Sequence, residues 1–418
     1  MATMSFILYN LGISTFSLLI KFASLFNSKA KKLSEGRKNI WTELEQFSKE
    51  KHNAVIWFHA ASLGEFEQGR PIIEKLKQHD SSLKIVLSFF SPSGYEVRKN
   101  YEDADLVAYL PADTAQNAKR FIELIQPKVA IIIKYEFWYH FLTTCAENKI
   151  ITLSVSSIFR KSQPFFKVYG GLHRKMLRCF NHFFVQDHNS KKLLEGLNFN
   201  NISLSGDTRF DRVLDIVSQK KEIKEVELFK AGEKMMVLGS VWPSDMEVLL
   251  PFLQEYKYKL KFVIAPHNIG EKDVLEVVDQ IGDDVVRFSK IKNNSLEDFR
   301  FLIVDNMGML SSLYGYGEYA YIGGAFRQTL HNTLEAATHG VPVFFGNDKT
   351  NIKFREAGEL AQTGAGIAVR DTSELINKFE ELLANEEKRQ HLGEIAQNYV
   401  KNNTGATDMI VEYLRGKI

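Results

Sequence analysis

From residue 54 onward, short runs of β-branched and aromatic residues alternate with longer stretches in which apolar positions recur at helical spacing. The short runs predict strands near Val55–His59, Lys84–Ser88, Leu106–Leu110, Val129–Ile133, Ile150–Val155 and His182–Val185 in the first half. In the second half they predict strands near Met235–Gly239, Lys261–Ala265, Phe301–Val304, Tyr319–Ile322 and Val341–Phe345. Segments such as Gln68–Gln78 and Asn117–Ile125 carry the helical period between them, which is the βαβ rhythm of a parallel sheet covered on both faces. Asp211 to Lys234 starts helical, becomes a charged run from Lys220 to Lys230 and has no strand pattern, so the interdomain connection is expected there. Glu386 to Ile418 reads as helices broken at Asn402-Asn403-Thr404-Gly405. The expected fold class is α/β: two doubly wound Rossmann-like domains, 29–215 and 216–418, facing across a cleft between the C-terminal ends of their strands. The final helices are free to pack back on the first domain.

Before this pattern begins, Met4 to Phe26 is almost continuously apolar, with Lys21 its only charged residue. The stretch is long enough to span a bilayer, so residues 1–28 are expected to form a membrane anchor helix. Lys29, Lys31, Lys32, Arg37 and Lys38 follow it and no charged side chain precedes it, which places the remainder on the cytoplasmic side. A secretory signal would show the reverse order. Asn10, Gly12, Ser14, Thr15 and Ser17 weaken the apolar character and leave an in-plane amphipathic helix as the alternative.

Length and charge narrow the choice of function. The 418 residues suffice for two domains of about 200 residues, each with its own core. A net charge of +2 offers no extended surface for nucleic acid. Cys145 and Cys179, the only cysteines, stand far apart in apolar surroundings and read as reduced thiols of a cytoplasmic compartment.

Chemistry concentrates at predicted strand ends. Tyr321 to Ala337 runs from a buried strand through Gly323-Gly324 and a polar loop into a helix carrying Glu335. Backbone N–H groups at such a helix start can receive a phosphate, and Glu335 can accept hydrogen bonds from ribose hydroxyls. A tight turn is the plainer explanation of the glycine pair. Three further loops fall on the same side: Gly239 to Asp245, Ala265 to Asn268, and Asp305 to Met309.

In the first half, His59-Ala60-Ala61-Ser62-Leu63-Gly64-Glu65 opens a helix whose glutamate either acts as a general base or closes an S-x-x-E capping box with Ser62. Lys134-Tyr135-Glu136-Phe137-Trp138-Tyr139-His140 mixes charge with aromatic surface, as a sugar site does, or is an ordinary first helical turn with Trp138 in the core. Arg209, within Gly206 to Asp211, either meets an anionic donor or forms a salt bridge with Asp207 or Asp211. Asp103-Ala104-Asp105 has the spacing of a metal-binding carboxylate pair but precedes a strand instead of ending one. No Walker loop, zinc cluster or G-x-S-x-G elbow occurs.

Taken in order, these segments resemble the transferases of 3-deoxy-D-manno-octulosonic acid (Kdo) in lipopolysaccharide synthesis, which have the GT-B glycosyltransferase fold. The resemblance covers nearly the whole chain. His59 to Glu65 matches the family's S-x-G-E loop, Glu136-Phe137-Trp138 its E-L-W, Gly206 to Asp211 its G-S-x-K-F-D, and Gly323 to Glu335 its G-G-S…G-H-N-P-L-E. It implies inverting transfer of Kdo from CMP-Kdo to a lipid A precursor, with no metal and no cofactor, at the inner membrane.

Carried over position by position, the resemblance makes Glu65 the catalytic base and Arg209 the group that stabilises the transition state. Ser62, Gly64, Lys134 and Glu136 fall on the acceptor or donor-carboxylate side. Pro266, His267, Met307, Gly308, Met309, Gly323, Gly324, Asn332, Thr333, Leu334 and Glu335 fall on CMP-contacting segments. The chain also departs from the pattern. Lys134 stands where a glutamate is usual and is a candidate for holding the Kdo carboxylate. His267 replaces an arginine, which weakens the expected phosphate contact unless the ring is protonated. Thr333 replaces a common proline, and Gln328-Thr329-Leu330 replaces a glycine-bearing approach to His331. The rival readings are a GT-B enzyme using a UDP-sugar, an inactive membrane-tethered nucleotide-sugar binding protein, and a sugar-nucleotide epimerase.

Overall fold

The computed structural model describes residues 2–50, 52–218, 222–291, 295–327, 329–347 and 354–418. They form two compact units, Met1–Arg212 with Thr404–Ile418, and Val213–Asn403. The chain passes from the first to the second inside one helix, Thr208–Ser218, and re-enters the first at Thr404.

The first unit holds β1 (Val55–Ala60), β2 (Lys84–Phe89), β3 (Leu106–Tyr109), β4 (Val129–Ile133), β5 (Ile151–Ser157), β6 (His182–Val185) and β7 (Ile202–Leu204), in the order β3-β2-β1-β4-β5-β6-β7. All neighbours pair in parallel. The second unit holds β8 (Met235–Val241), β9 (Lys261–Pro266), β10 (Val285–Arg287), β11 (Phe301–Ile303), β12 (Tyr319–Ile322), β13 (Val343–Gly346) and β14 (Gly366–Val369), in the order β10-β11-β9-β8-β12-β13-β14, also parallel. This is the doubly wound α/β class expected, twice over. Central strands such as β4, Val-Ala-Ile-Ile-Ile, are buried on both faces and therefore read as unbroken apolar runs. The edge strands β7, β10 and β14 escape the sequence pattern because each has one neighbour and stays partly exposed, so no such run is needed.

In each sheet the strand order reverses at one point, between β1 and β4 and between β8 and β12. Ligands of open α/β sheets bind outside the carboxyl ends of the strands at that point. The predicted site loops after β1, β4, β8 and β12 lie there, whereas those after β7, β9 and β11 follow strands further out in the sheets.

The N-terminal helix Ala2–Ala23 is part of the first unit. One side docks on the domain: the Phe6 ring meets Tyr139 and His140, Asn10 Oδ1 pairs with His140 Nε2 at 2.7 Å, and Phe16 stacks on Phe90. The opposite side exposes Met4, Ile7, Leu8, Leu11, Leu18, Leu19 and Phe22, one stripe at helical spacing. At the other end of the chain, Asp211 accepts hydrogen bonds from the Gly405 and Thr407 amides. The helix Ala406–Leu414 then buries Ile410, Val411 and Leu414 in the first unit's core.

The described part of the charged run packs on the second unit. Helix Lys224–Lys230 buries Val226 and Phe229, and Lys230 pairs with Glu318 at 2.7 Å. Asp105, from the Asp-x-Asp pair, is held by Lys77 at 2.9 Å and Lys84 at 2.8 Å, which gives it a structural task. Cys145 is buried, Cys179 half-buried, and both are free thiols.

Candidate active site

In the first unit β1 delivers its last residues to a short turn, Ala61-Ser62, before helix Leu63–His79 begins. Ser62 is extended and its side chain caps nothing, whereas Glu65 Oε2 accepts the Ala61 amide at 2.6 Å. Neither arm of the capping box is made, since the glutamate reaches the amide before Ser62 and not that of Ser62 itself, and among the described residues Glu65 Oε1 has no hydrogen-bond donor. Burial and the neighbouring Glu136 push the Glu65 carboxyl above its ordinary range, against the Ala61 amide, Lys134 and His59, which pull it down. The result is a carboxylate more basic than usual, as a general base at neutral pH requires. A Cβ added at Gly64 would meet nothing within 4 Å, so the fold itself does not demand glycine there.

Behind Glu65 stands a buried histidine that the sequence reading passed over as part of a loop. His59 Nδ1 lies 2.9 Å from Ser88 Oγ and 3.2 Å from the Ser88 carbonyl, while Trp138 Nε1 donates to Nε2 at 3.3 Å. Glu136 comes within 3.8 Å of the same Nε2. Trp138 also stacks on Phe90, whose ring stacks on Phe16 of the N-terminal helix. An unbroken line of rings therefore joins the apolar helix to the wall beside Glu65. Lys134 sits at the end of β4 with φ +59°, a left-handed conformation uncommon outside glycine and concentrated at functional sites.

Arg209 takes the salt-bridge alternative. Its guanidinium grips Asp207 Oδ2 through Nε at 3.0 Å and Nη2 at 2.8 Å, and Gln68 Nε2 donates to both oxygens of the same carboxylate at 3.0 Å. Asp207 is buried, and despite the cost of burial the arginine holds its carboxyl below the ordinary range.

In the second unit one buried carboxylate organises the loops. Asp245 Oδ2 accepts the Trp242 amide at 2.8 Å and the Gly324 amide at 2.9 Å, and Oδ1 accepts the Tyr321 hydroxyl at 3.0 Å. Gly323 donates its own amide to the Gly239 carbonyl at 2.9 Å. The glycine pair therefore binds its own fold and keeps no amide for a phosphate. A Cβ at Gly323 would lie 2.4 Å from the Ser240 carbonyl oxygen, and Gly324 has φ +93°. The tight-turn explanation holds here for a specific steric reason.

Above this knot lies an aromatic wall. Trp242 and His267 stack with centroids 3.9 Å apart, and Trp242 Nε1 donates to His331 Nε2 at 3.1 Å. Burial pushes the His331 imidazole down to about 4 and lowers that of His267, so both rings are neutral at physiological pH. Pro266 ends β9 beside them. Met307 is 81 % exposed, Gly308 has φ +87°, and Met309 Sδ accepts from Asn306. The helix bearing Glu335 is a single turn, Leu334–Thr338; Asn332 accepts the Leu334 amide and donates to Glu335 at 3.2 Å. Thr333, at the position usually proline, is buried with no partner for its hydroxyl among the described residues. Gln328 lies outside the described residues.

Sequence reasoning missed Asp245 and His331 as organising residues. Asp245 carried one signal, a carboxylate three positions after Trp242, the residue that opens the helix after β8, and just past Pro243, where it can reach back to amides.

Residues 38–212 match the family model described as 3-Deoxy-D-manno-octulosonic-acid transferase (kdotransferase). A 3-deoxy-D-manno-octulosonic acid transferase of Aquifex aeolicus is 28% identical over 79% of this chain and 86% of its own length. The Rickettsia bellii protein of that name is 25% identical over 91% and 92%. By sequence the chain is related to the Kdo transferases. Among solved structures, UDP-GlcNAc 2-epimerase from Neisseria meningitidis bound to UDP-GlcNAc covers 86% of the chain, and 99% of that structure is matched, at 16% identity and a TM-score of 0.59. MurG of Acinetobacter baumannii matches over 88% and 99% at 14% identity and 0.53. At such identities these likenesses speak for the fold alone, which is GT-B. The Kdo transferase match in residues 38–212 includes Glu65, Lys134, Glu136 and Arg209.

Proposed function

We propose that this chain is an inverting, metal-independent glycosyltransferase that moves Kdo from CMP-Kdo to a lipid A precursor at the cytoplasmic face of the inner membrane. The observation that carries the reading is Glu65: buried, fixed through one oxygen, uncommitted at the other, and set in a wall whose ring stack leads to an apolar helix. Its relatives' name supplies the donor sugar.

In this mechanism the bond between the ketose carbon and the CMP phosphate loosens first, leaving positive charge on the sugar and negative charge on CMP. Glu65 takes the proton of an acceptor hydroxyl through Oε1 as that oxygen attacks from the face opposite the leaving phosphate, with the oxocarbenium character familiar from glycoside hydrolysis. Glu136, beside His59, offers negative charge to the same region. The exposed stripe of the N-terminal helix enters the bilayer lengthwise while its docked side stays on the protein, so an acceptor with its acyl chains in the membrane reaches the enzyme along a surface.

The test is mass spectrometry of a tetra-acylated lipid A precursor incubated with detergent-solubilised protein and freshly generated CMP-Kdo, with Glu65→Gln in parallel. Gain of one or more Kdo residues, lost in the variant, is the expected result. No gain by a protein that binds CMP would overturn the reading of donor sugar or acceptor.

A further inference from the structure

The resemblance leaves the donor phosphate without its usual cation, because His267 stands where an arginine is customary. The geometry shows what the histidine does instead. It lies flat on Trp242, within 4.7 Å of the His331 ring, as part of an aromatic wall. Its neutral state fits that task and removes it as a source of positive charge.

A cation does stand at the same loop cluster, contributed by a different strand. Arg327 ends the short turn Ala325–Arg327 that follows Gly323-Gly324, and its guanidinium carbon lies 5.4 Å from the centre of the Trp242 ring. It is exposed, and among the described residues no carboxylate forms a salt bridge with it. The nearby Asp245 spends its oxygens on two amides and a tyrosine hydroxyl. Asp245 feels its charge without closing a salt bridge, and a guanidinium kept in place over an indole face with its N–H groups not taken by a carboxylate is prepared for a phosphate, to which it can donate two parallel hydrogen bonds.

We propose that Arg327 binds the donor's phosphate in this chain, replacing the arginine that position 267 lacks, while Trp242 and His267 form the flat wall beside it. The inference rests on the reading of the second unit as the nucleotide-binding one. It makes phosphate recognition here depend on the loop after β12 instead of the loop after β9.

Isothermal titration of the full-length protein in detergent with CMP, UMP and cytidine tests it. Arg327→Ala should weaken CMP about 10- to 100-fold, as loss of a charge-assisted hydrogen bond does, and should leave millimolar cytidine binding within about twofold because cytidine has no phosphate. Adding His267→Arg to Arg327→Ala should restore much of the CMP affinity. Unchanged CMP affinity in Arg327→Ala, or equal loss of CMP and cytidine, overturns the assignment while leaving the nucleotide reading intact. Arg327-dependent binding of UMP in preference to CMP upholds the phosphate contact and overturns the CMP donor. Failure of the wild-type protein to bind any of the three overturns both.

Discussion

The hydroxyl of Tyr9, in the N-terminal helix, donates to the buried carboxylate of Asp113 at 2.5 Å and accepts the amide of Tyr139 at 3.1 Å. Asp113 also accepts the His140 and Phe141 amides, so one tyrosine closes a network that fixes the start of the helix Tyr139–Glu147. Tyr9→Phe leaves the Tyr139 amide without its acceptor and should lower stability by about 1–3 kcal/mol. Faster amide hydrogen exchange at Tyr139 and His140, with flotation on liposomes retained, is the expected pattern. Loss of flotation with unchanged exchange would separate the tyrosine from the network.

Two glycines predict opposite outcomes for one substitution. Gly64→Ala meets no atom and replaces a helical glycine, so it should be neutral or stabilising by up to about 1 kcal/mol. It should nonetheless lower transferase activity at least tenfold if the acceptor occupies the open space before the helix. Gly323→Ala drives a methyl group to 2.4 Å from a backbone oxygen and should destabilise by more than about 2 kcal/mol, read as a fall in thermal midpoint.

Asp245→Asn keeps the shape of the side chain but turns one acceptor into a donor facing amides. It should cost about 2–4 kcal/mol and weaken CMP binding with it, since the Trp242 and Gly324 loops move apart. Wild-type stability in a denaturant titration would deny Asp245 its role.

Activity as a function of pH separates the charges around Glu65. A base works ionised, so kcat/KM should rise with pH through the raised Glu65 value. Glu136 raises that value and Lys134 lowers it. Glu136→Gln should therefore move the acid limb to lower pH, and Lys134→Ala should move it to higher pH. For stability the sign is opposite to that of a salt-bridged carboxylate: a raised folded value favours the fold below the unfolded value and loses that contribution as pH rises through the folded one. Glu65→Gln should accordingly match or exceed wild-type stability above this window, measured by thermal unfolding at several pH values.

The two parallel sheets were legible because strands such as β4 and β12 are covered on both faces and read as unbroken runs of apolar and aromatic residues. Of the edge strands, β3 was legible as the run Leu106–Tyr109, whereas β7, β10 and β14 were not, for want of that constraint. The candidate base was legible as a glutamate at a helix start, yet only coordinates separate its bond to the Ala61 amide from a closed capping box with Ser62. Arg209 and Asp207 illustrate the limit: charge and spacing allowed both a free cation and an ion pair, and the choice depended on Gln68, 139 residues away from Asp207 in sequence. Gly323 and Gly324 were visible as punctuation, but their amides were already claimed by Gly239 and by Asp245, a partner that pattern alone does not supply.

The stack of Phe16, Phe90 and Trp138 bears on how a soluble form of this protein is to be made. Trimming an apolar leader is the usual route to crystals and to inhibitor screening. Here the cut would strip a ring from the end of that stack, uncover Phe90, and leave Asp113 and His140 without Tyr9 and Asn10. Compounds selected against such a truncated protein would be fitted to a wall that the intact enzyme never presents. Changing the outward stripe, Ile7, Leu11, Leu18 and Phe22, to polar residues improves solubility while leaving the inner face in place.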